Sequence, residues 1–282
     1  MATSAGNEGR FGAGAPLRQR DLPALAHGRG ALTVLLCAAV LLSLLRVPWG
    51  DDLVRPGGVA MVGQVLGGML KPDLAPEVLG KAAAAAWQTI AYAVTGMTVA
   101  LAMALPLGAL ASGTLVRNPV LRRVTMVLAR GSLGLLRAIH ELVWAWLFVA
   151  ALGLSPVAAI AALAIPYAGI LGRIYADLLN DVPPQPVTAL QTTGAGLAIT
   201  FLYARIPLAL PDMISYTFYR FECGLRSAAI LSFVGLGGLG FQIQIALDDL
   251  LFGRVATYLL VLVALILAVD TWSSQVRRRL TQ

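Results

Sequence analysis

The stretch AAAAAWQTIAYAVTGMTVALAMALPLGALAS, residues 82–112, carries no charged side chain. A helix crossing the hydrocarbon core of a bilayer needs about 20 apolar residues, so this block is long enough to span. Composition points the same way for the whole chain. Of 282 residues, 58% are hydrophobic and 12% charged, and the mean hydropathy is +0.79. A soluble domain carries about 25% charged residues, so a water-soluble fold of this size would lack polar side chains to cover its surface. Backbone groups in hydrocarbon must hydrogen-bond within the protein, which favours helices, and the roughly ten-residue alternating segments of a membrane barrel do not occur. The expected fold class is an all-α, polytopic transmembrane helical bundle.

Reading outward from that block gives about six spans. Residues 1–29, rich in Gly, Ala and Arg, read as a disordered tail. A first transmembrane helix is expected over 30–49, its apolar part running from Ala31 to Val47. Arg46-Val47-Pro48-Trp49 offers no small-x-small cleavage pattern, so this span reads as retained rather than as a signal peptide. Residues 50–81 form an expected extracytoplasmic loop. The core, 82–276, holds the span 82–112, a third from Val124 to Leu152 interrupted near Arg137–Glu141, and a fourth that follows the Gly153–Pro156 turn and ends near Ile174. A fifth runs from Ile206 to Val234 and a sixth from Arg254 to Trp272; residues 277–282 close the chain as a short tail. Arg18 and Arg20, Arg117, Arg122 and Arg123, Arg173 and Arg205, and Arg277-Arg278-Arg279 then fall on one side, and the pairs Asp51-Asp52 and Asp248-Asp249 on the other. Basic loops stay in the cytoplasm, so both termini are expected there.

Several function classes are disfavoured. The net charge is +7, but the basic residues sit between apolar blocks rather than on one face, which argues against nucleic-acid binding. No phosphate-cradling G-x-x-x-x-G-K-[S/T] loop occurs, so the chain is not expected to bind ATP itself. With two histidines and no H-E-x-x-H, zinc chemistry and histidine triads are poorly supported, and no metal site or catalytic residue is assigned. Cys37 and Cys223 lie in apolar stretches and read as small buried hydrophobes.

The motif of most interest lies between the fourth and fifth spans. Thr188-Ala189-Leu190-Gln191-Thr192-Thr193-Gly194, followed by Ala204-Arg205-Ile206-Pro207, reads as two short helices joined by a tight turn. Gly194 would allow a left-handed turn, and Pro207 would open the next helix where its missing N–H is harmless. Such a knob suits a groove on a soluble partner, though an ordinary loop would use the same turn residues. The segment resembles the EAA loop of bacterial ABC importer permeases, E-A-A-x-x-x-G followed by I-x-L-P. Ala189, Gly194, Ile206 and Pro207 fit; Thr188 stands where Glu is usual, Leu190 where Ala is usual, and Ala204 where Ile is usual.

A second group of motifs is similar to the phosphonate-importer permeases: Arg137-Ala138-Ile139-His140-Glu141-Leu142-Val143-Trp144-Ala145, Ser215-Tyr216-Thr217-Phe218-Tyr219-Arg220-Phe221-Glu222, Arg226-Ser227-Ala228 and Val234-Gly235-Leu236-Gly237-Gly238-Leu239-Gly240. His140 departs from a usual Pro. The resemblance covers about residues 82–280. It implies a type I ABC importer permease in a bacterial inner membrane, working as a homodimer surrounded by lipid, with a cytoplasmic ATP-binding subunit that holds ATP and Mg and an external substrate-binding protein. The solute it implies is a small phosphorus oxyanion, phosphonate or phosphite. It also implies that residues 176–207 couple the chain to the ATPase.

Charges inside the expected fifth span carry the remaining site expectations. A charge at a helix centre costs on the order of 2.5–3.5 kcal/mol by insertion scales. Glu222 and Arg226 are four apart and read as a helix-face pair, with Arg220 needing another partner. Arg220 or Arg226 would suit an anion's path, since guanidinium matches phosphonate oxygens; a purely structural pair is the other reading. Arg137 and Glu141 read as a similar pair. Gly235, Gly237, Gly238 and Gly240 read as a gate or as a plain glycine-rich loop. Permeases for amino acids, metals or sulfonates, an intramembrane enzyme built on His140, and a scaffold without transport remain as alternatives.

Overall fold

The computed structural model describes residues 22–47, 49 and 57–280. Every regular element among them is helical: α1 (Leu22–Arg46), α2 (Gly58–Met69), α3 (Pro76–Ser112), α4 (Pro119–Ala138), α5 (Glu141–Leu152), α6 (Pro156–Asn180), α7 (Pro184–Thr192), α8 (Leu197–Thr200), α9 (Ile206–Leu231), α10 (Leu239–Asp248) and α11 (Phe252–Leu280). The expected tail 1–29 is helical from Leu22 onward; residues 1–21, and Asp51 and Asp52 of the expected loop, lie outside the described residues. Residues 50–81 hold a helix, α2, and α3 starts at Pro76, ahead of Ala82. At the other end, residues 277–280 continue α11 instead of forming a tail.

Two units divide after Met61. In the smaller, α1 is exposed at every described residue from Gly30 to Arg46, including Val34, Leu35, Leu41 and Leu45. A helix apolar all round belongs in a protein core or in lipid.

In the larger unit α3, α6, the continuous helical stretch Leu197–Val234 and α11 are each long and apolar enough to cross a membrane. The α4–α5 pair passes the same test only as one broken span, bent by 84°, and the apolar part of α1, Gly30–Arg46, is shorter than the others. Length and composition therefore support four to five crossings among the described residues, against an expectation of about six. The break has a local cause. Ile139 is extended (φ −96, ψ 127), and His140 caps α5 by accepting the Leu142 N–H on its side chain.

α3 and α6 form the centre. Small residues recur every fourth position on both: Gly96, Ala100, Ala104 and Gly108 on α3, and Ala164, Ala168, Gly172 and Ala176 on α6. Such rows bring helix backbones together where lipid provides no hydrophobic drive. A Cβ at Gly108 would sit 2.9 Å from the Gly172 carbonyl oxygen, and one at Gly96 would meet Leu163, so the helices run parallel. α6 is the most enclosed of the long helices, with 61% of its apolar window buried. Leu133 of α4 fills the groove over Gly172, and the backbone near Arg137 closes on Gly169. α9 runs antiparallel to α6, tied by Tyr167–Ser227 (3.1 Å) and Tyr175–Thr217 (2.5 Å). The entry to α3 is pinned to α11: Arg254 Nε donates to Asp73 Oδ2 (3.2 Å) and Thr257 Oγ1 to the Asp73 carbonyl (2.7 Å).

Gly169→Ala should lower the melting temperature of the purified protein, because its Cβ would lie 2.8–2.9 Å from backbone atoms of Leu133 and Arg137 that cannot rotate away. Gly131→Ala meets nothing within 4 Å and should leave the melting temperature unchanged or raise it, since alanine is better in a helix by about 1 kcal/mol. Equal effects in a thermal-shift assay would contradict the packing described.

Candidate functional site

After α6 the chain turns through Asp181-Val182-Pro183 into α7, which Pro184 opens at a position suited to proline. Val187 is buried, and Leu190, Phe201, Ala204 and Ile206 pack with Leu179 and Val182 onto the main core. Gly194 adopts φ +84, the left-handed conformation that glycine takes without steric cost. Thr188, Ala189, Thr192 and Gly194 face outward. The Thr188 hydroxyl bonds back to the Pro184 carbonyl (2.9 Å) within its own helix. Two short helices around a glycine turn are thus present as expected.

Pro207 differs. It does not open a helix, because α8 runs through a π-helical turn, Phe201–Arg205, straight into α9. Ile206 N–H bonds the Phe201 carbonyl, five residues back. The widened turn accommodates the break in bonding that a proline imposes in mid-helix.

The charges of α9 sort differently from the expectation. Glu222 does not pair with Arg226. Its partner is Arg277 of α11, Nη1 to Oε1 3.0 Å, with side-chain exposures of 7% for Glu222 and 24% for Arg277. Oε1 accepts no hydrogen bond among the described residues, so the contact holds by charge. Arg226, one turn on, is exposed, and a buried carboxylate gains more from a half-buried guanidinium than from one screened by solvent. Arg220 takes an aromatic setting. Its Nε donates to the Tyr216 hydroxyl (2.8 Å), and the guanidinium lies 5.1 and 5.4 Å from the ring centres of Tyr216 and Tyr219, within cation–π range. Arg137 and Glu141 do not pair either, because the break at Ile139 puts them on different helices.

Glu141 instead meets α9. Ser227 Oγ donates to Glu141 Oε1 (2.7 Å) and lies 3.1 Å from the Tyr167 hydroxyl, linking α5, α6 and α9. Each residue of this chain was visible in the sequence, Glu141 and Ser227 within quoted motifs, but no spacing rule joins positions so far apart. The glycine segment is tied down rather than loose. Gly235, Gly237 and Gly238 have φ between +83 and +93, Gly238 N–H donates to Gln88 Oε1 (3.1 Å), and Leu239 N–H donates to Thr89 Oγ1 (3.0 Å). Gly240 packs against the Ala229 carbonyl. Cys37 is exposed on α1 and Cys223 partly buried, so only the second fits the expected buried setting.

Arg277→Met should destabilise the fold by about 3–5 kcal/mol, the usual effect of leaving a buried charge without its partner. Adding Glu222→Gln should recover most of that loss. Chemical denaturation of the single and double variants in detergent checks this, and an equally unstable double variant would refute the pairing.

The family of binding-protein-dependent transport system inner membrane components matches residues 104–282, more than half of the chain. The phosphate-import permease protein PhnE of Mycolicibacterium smegmatis is 33% identical over 196 residues, 70% of this chain and 36% of that one. Two putative phosphite transport system permease proteins of Stutzerimonas stutzeri also align. HtxE is 35% identical over 158 residues, 56% of this chain and 60% of its own length; HtxC is 30% identical over 245 residues, 85% and 84%. The chain thus spans less than two thirds of PhnE and of HtxE. Among solved structures, an inward-facing MetNI methionine ABC transporter superposes with a TM-score of 0.64 at 20% identity, over 74% of this chain and 100% of that chain. An amino acid ABC transporter superposes with a TM-score of 0.62 at 18% identity, over 72% and 95%. At those identities the likeness concerns the fold alone. With a family match over most of its helical core and 30% identity to HtxC along most of both chains, this protein belongs to the binding-protein-dependent transport system inner membrane components.

Proposed function

We propose that the chain is the membrane-spanning permease subunit of an ATP-driven importer for a small phosphorus oxyanion, phosphonate or phosphite. The observation that carries the reading is the α7–α8 knob: an inner face packed on the core, an outer face of small and polar residues along α7 with Ile199 exposed on α8, and a left-handed turn at Gly194. In this reading the outer face, Thr188, Ala189 and Gly194, seats in a cytoplasmic ATP-binding subunit that holds ATP and Mg, while Leu190 and Ile206 anchor it to the bundle and Pro207, exposed beyond the π-helical turn, leads into α9. Shape and apolar contact suffice for such an interface core, so the Glu that Thr188 replaces is dispensable. In this reading ATP hydrolysis is the work of the partner subunit, and the chain itself is a transporter subunit. The substrate class is supported by the names of the relatives, which concern phosphate and phosphite transport.

Two copies of the chain form the pore in the bacterial inner membrane, with both termini cytoplasmic and an external binding protein delivering the solute. Alternating access follows closure of the ATPases. Arg226, exposed on α9, is the side chain best placed to meet the anion, with Arg220 nearby and Glu222 serving to anchor α11. The pinned glycine turn, Gly235 to Gly240, forms the rim of the gate.

Gly194→Trp tests the docking. A Cβ at Gly194 meets nothing within 4 Å but must be borne at φ +84, so the chain should still insert. Uptake of radiolabelled phosphite in cells should fall at least about tenfold, a loss of coupling worth roughly 1.4 kcal/mol or more, while ATP hydrolysis by the assembled complex persists. Wild-type uptake by this variant, or labelling of Gln191→Cys only from the external side, would sink the reading.

A further inference from the structure

The parallel packing of α3 and α6 brings their C-terminal ends out together. There the turn after α3, the end of α6 and the α7–α8 knob enclose a cavity of about 560 Å³. Arg117, Arg122 and Arg205 line it, with no carboxylate on its walls. The contrast with the neighbouring arginines is direct. Arg130 and Arg173 share Asp177, at 4.0 and 3.1 Å, whereas among the described residues no carboxylate pairs with Arg117, Arg122 or Arg205. Arg205 Nη1 donates to the Leu179 carbonyl (2.7 Å). That bond fixes the guanidinium plane and leaves the other N–H groups of the fork for a second partner. The hydroxyl of Thr114 and the amides of Asn180 and Gln191 add neutral hydrogen-bonding groups to the wall.

Three like charges around one cavity repel each other, and an anion between them relieves that repulsion. Guanidinium forks match the paired oxygens of a tetrahedral oxyanion better than they match a point anion. We propose that this cavity binds a phosphate or phosphonate group, carried either by a free small anion or by the headgroup of an acidic phospholipid. The site lies at the ends of α3 and α6, apart from Arg220 and Arg226, and does not depend on the transport reading.

The full chain, reconstituted in nanodiscs of phosphatidylcholine alone, is titrated with radiolabelled inorganic phosphate. In a second arm, nanodiscs containing phosphatidylglycerol are examined by native mass spectrometry for lipid retained by the protein. Arg117→Gln with Arg122→Gln, and separately Arg205→Lys, which keeps the charge but loses the fork, are compared with wild type. Arg123→Gln, next to Arg122 in sequence but absent from the cavity wall, serves as the control. Binding in one arm should weaken by about tenfold for each guanidinium removed, and by less for Arg205→Lys, with the control unchanged. Loss in the phosphate arm identifies a free-anion site, and loss in the lipid arm a headgroup site. The proposal is overturned if wild type binds neither probe, if the double variant binds both as wild type does, or if Arg123→Gln weakens binding as much as the cavity variants.

Discussion

The close approach of α3 and α6 along two rows of small residues is the constraint on which the larger unit depends. Between helices in lipid, association rests on van der Waals fit and interhelical hydrogen bonds rather than on release of water. Rows of Gly and Ala at four-residue spacing provide that fit, and Gly108 and Gly172 place backbone against backbone. α6 is engaged from other sides as well. α4 presses Leu133 over Gly172, and α9 holds it through Tyr167 and Tyr175. Within this unit α4 and α9 pack on the pair, and the ends of α3 and α6 define the region where the α7–α8 knob emerges.

Within that frame the polar groups are few and specifically matched. Glu222 has its counter-charge on α11, Arg220 lies against two tyrosines, and Glu141 receives a hydroxyl from α9. Each arrangement joins a position on α9 to a group that lowers the cost of desolvating a charge. α9 therefore carries the one charged side chain buried among the described residues, Glu222, while α6 is the most enclosed of the long helices. Polar contacts across low-dielectric surroundings are directional, so they set the rotation of α9 about its own axis in a way that apolar packing does not.

The features legible in the sequence were those written in local order. Residues 82–112 announce a spanning helix by length and lack of charge, and Gly194 announces the turn between α7 and α8. The features that escaped depend on partners distant in sequence or on one side chain's choice. The four-residue rule pointed Glu222 at Arg226, and nothing local reveals that Arg277 arrives from another helix. The break between α4 and α5 falls where it was expected, near Arg137–Glu141, but how it is made was not legible: no proline or glycine marks it, and His140 caps α5 with its imidazole. Pro207 misled because a proline ordinarily starts a helix, whereas here it follows a π-helical turn within one continuous helical stretch. α2 was hidden by brevity, twelve residues in a segment otherwise rich in turn formers.

The π-helical turn at Phe201–Arg205 has an evolutionary consequence. From Leu197 to Val234 the backbone is one unbroken helical rod. Gaining or losing a single residue in it would turn everything downstream by about 100°. Glu222 would swing away from Arg277, Ser227 from Tyr167, and the glycine turn from Gln88. Point substitution on the exposed side of this stretch, at Leu202 or Tyr203, leaves those alignments intact. Insertions and deletions are therefore the changes that lineages of this chain should avoid between Gly196 and Gly238, whatever the variation in residue identity.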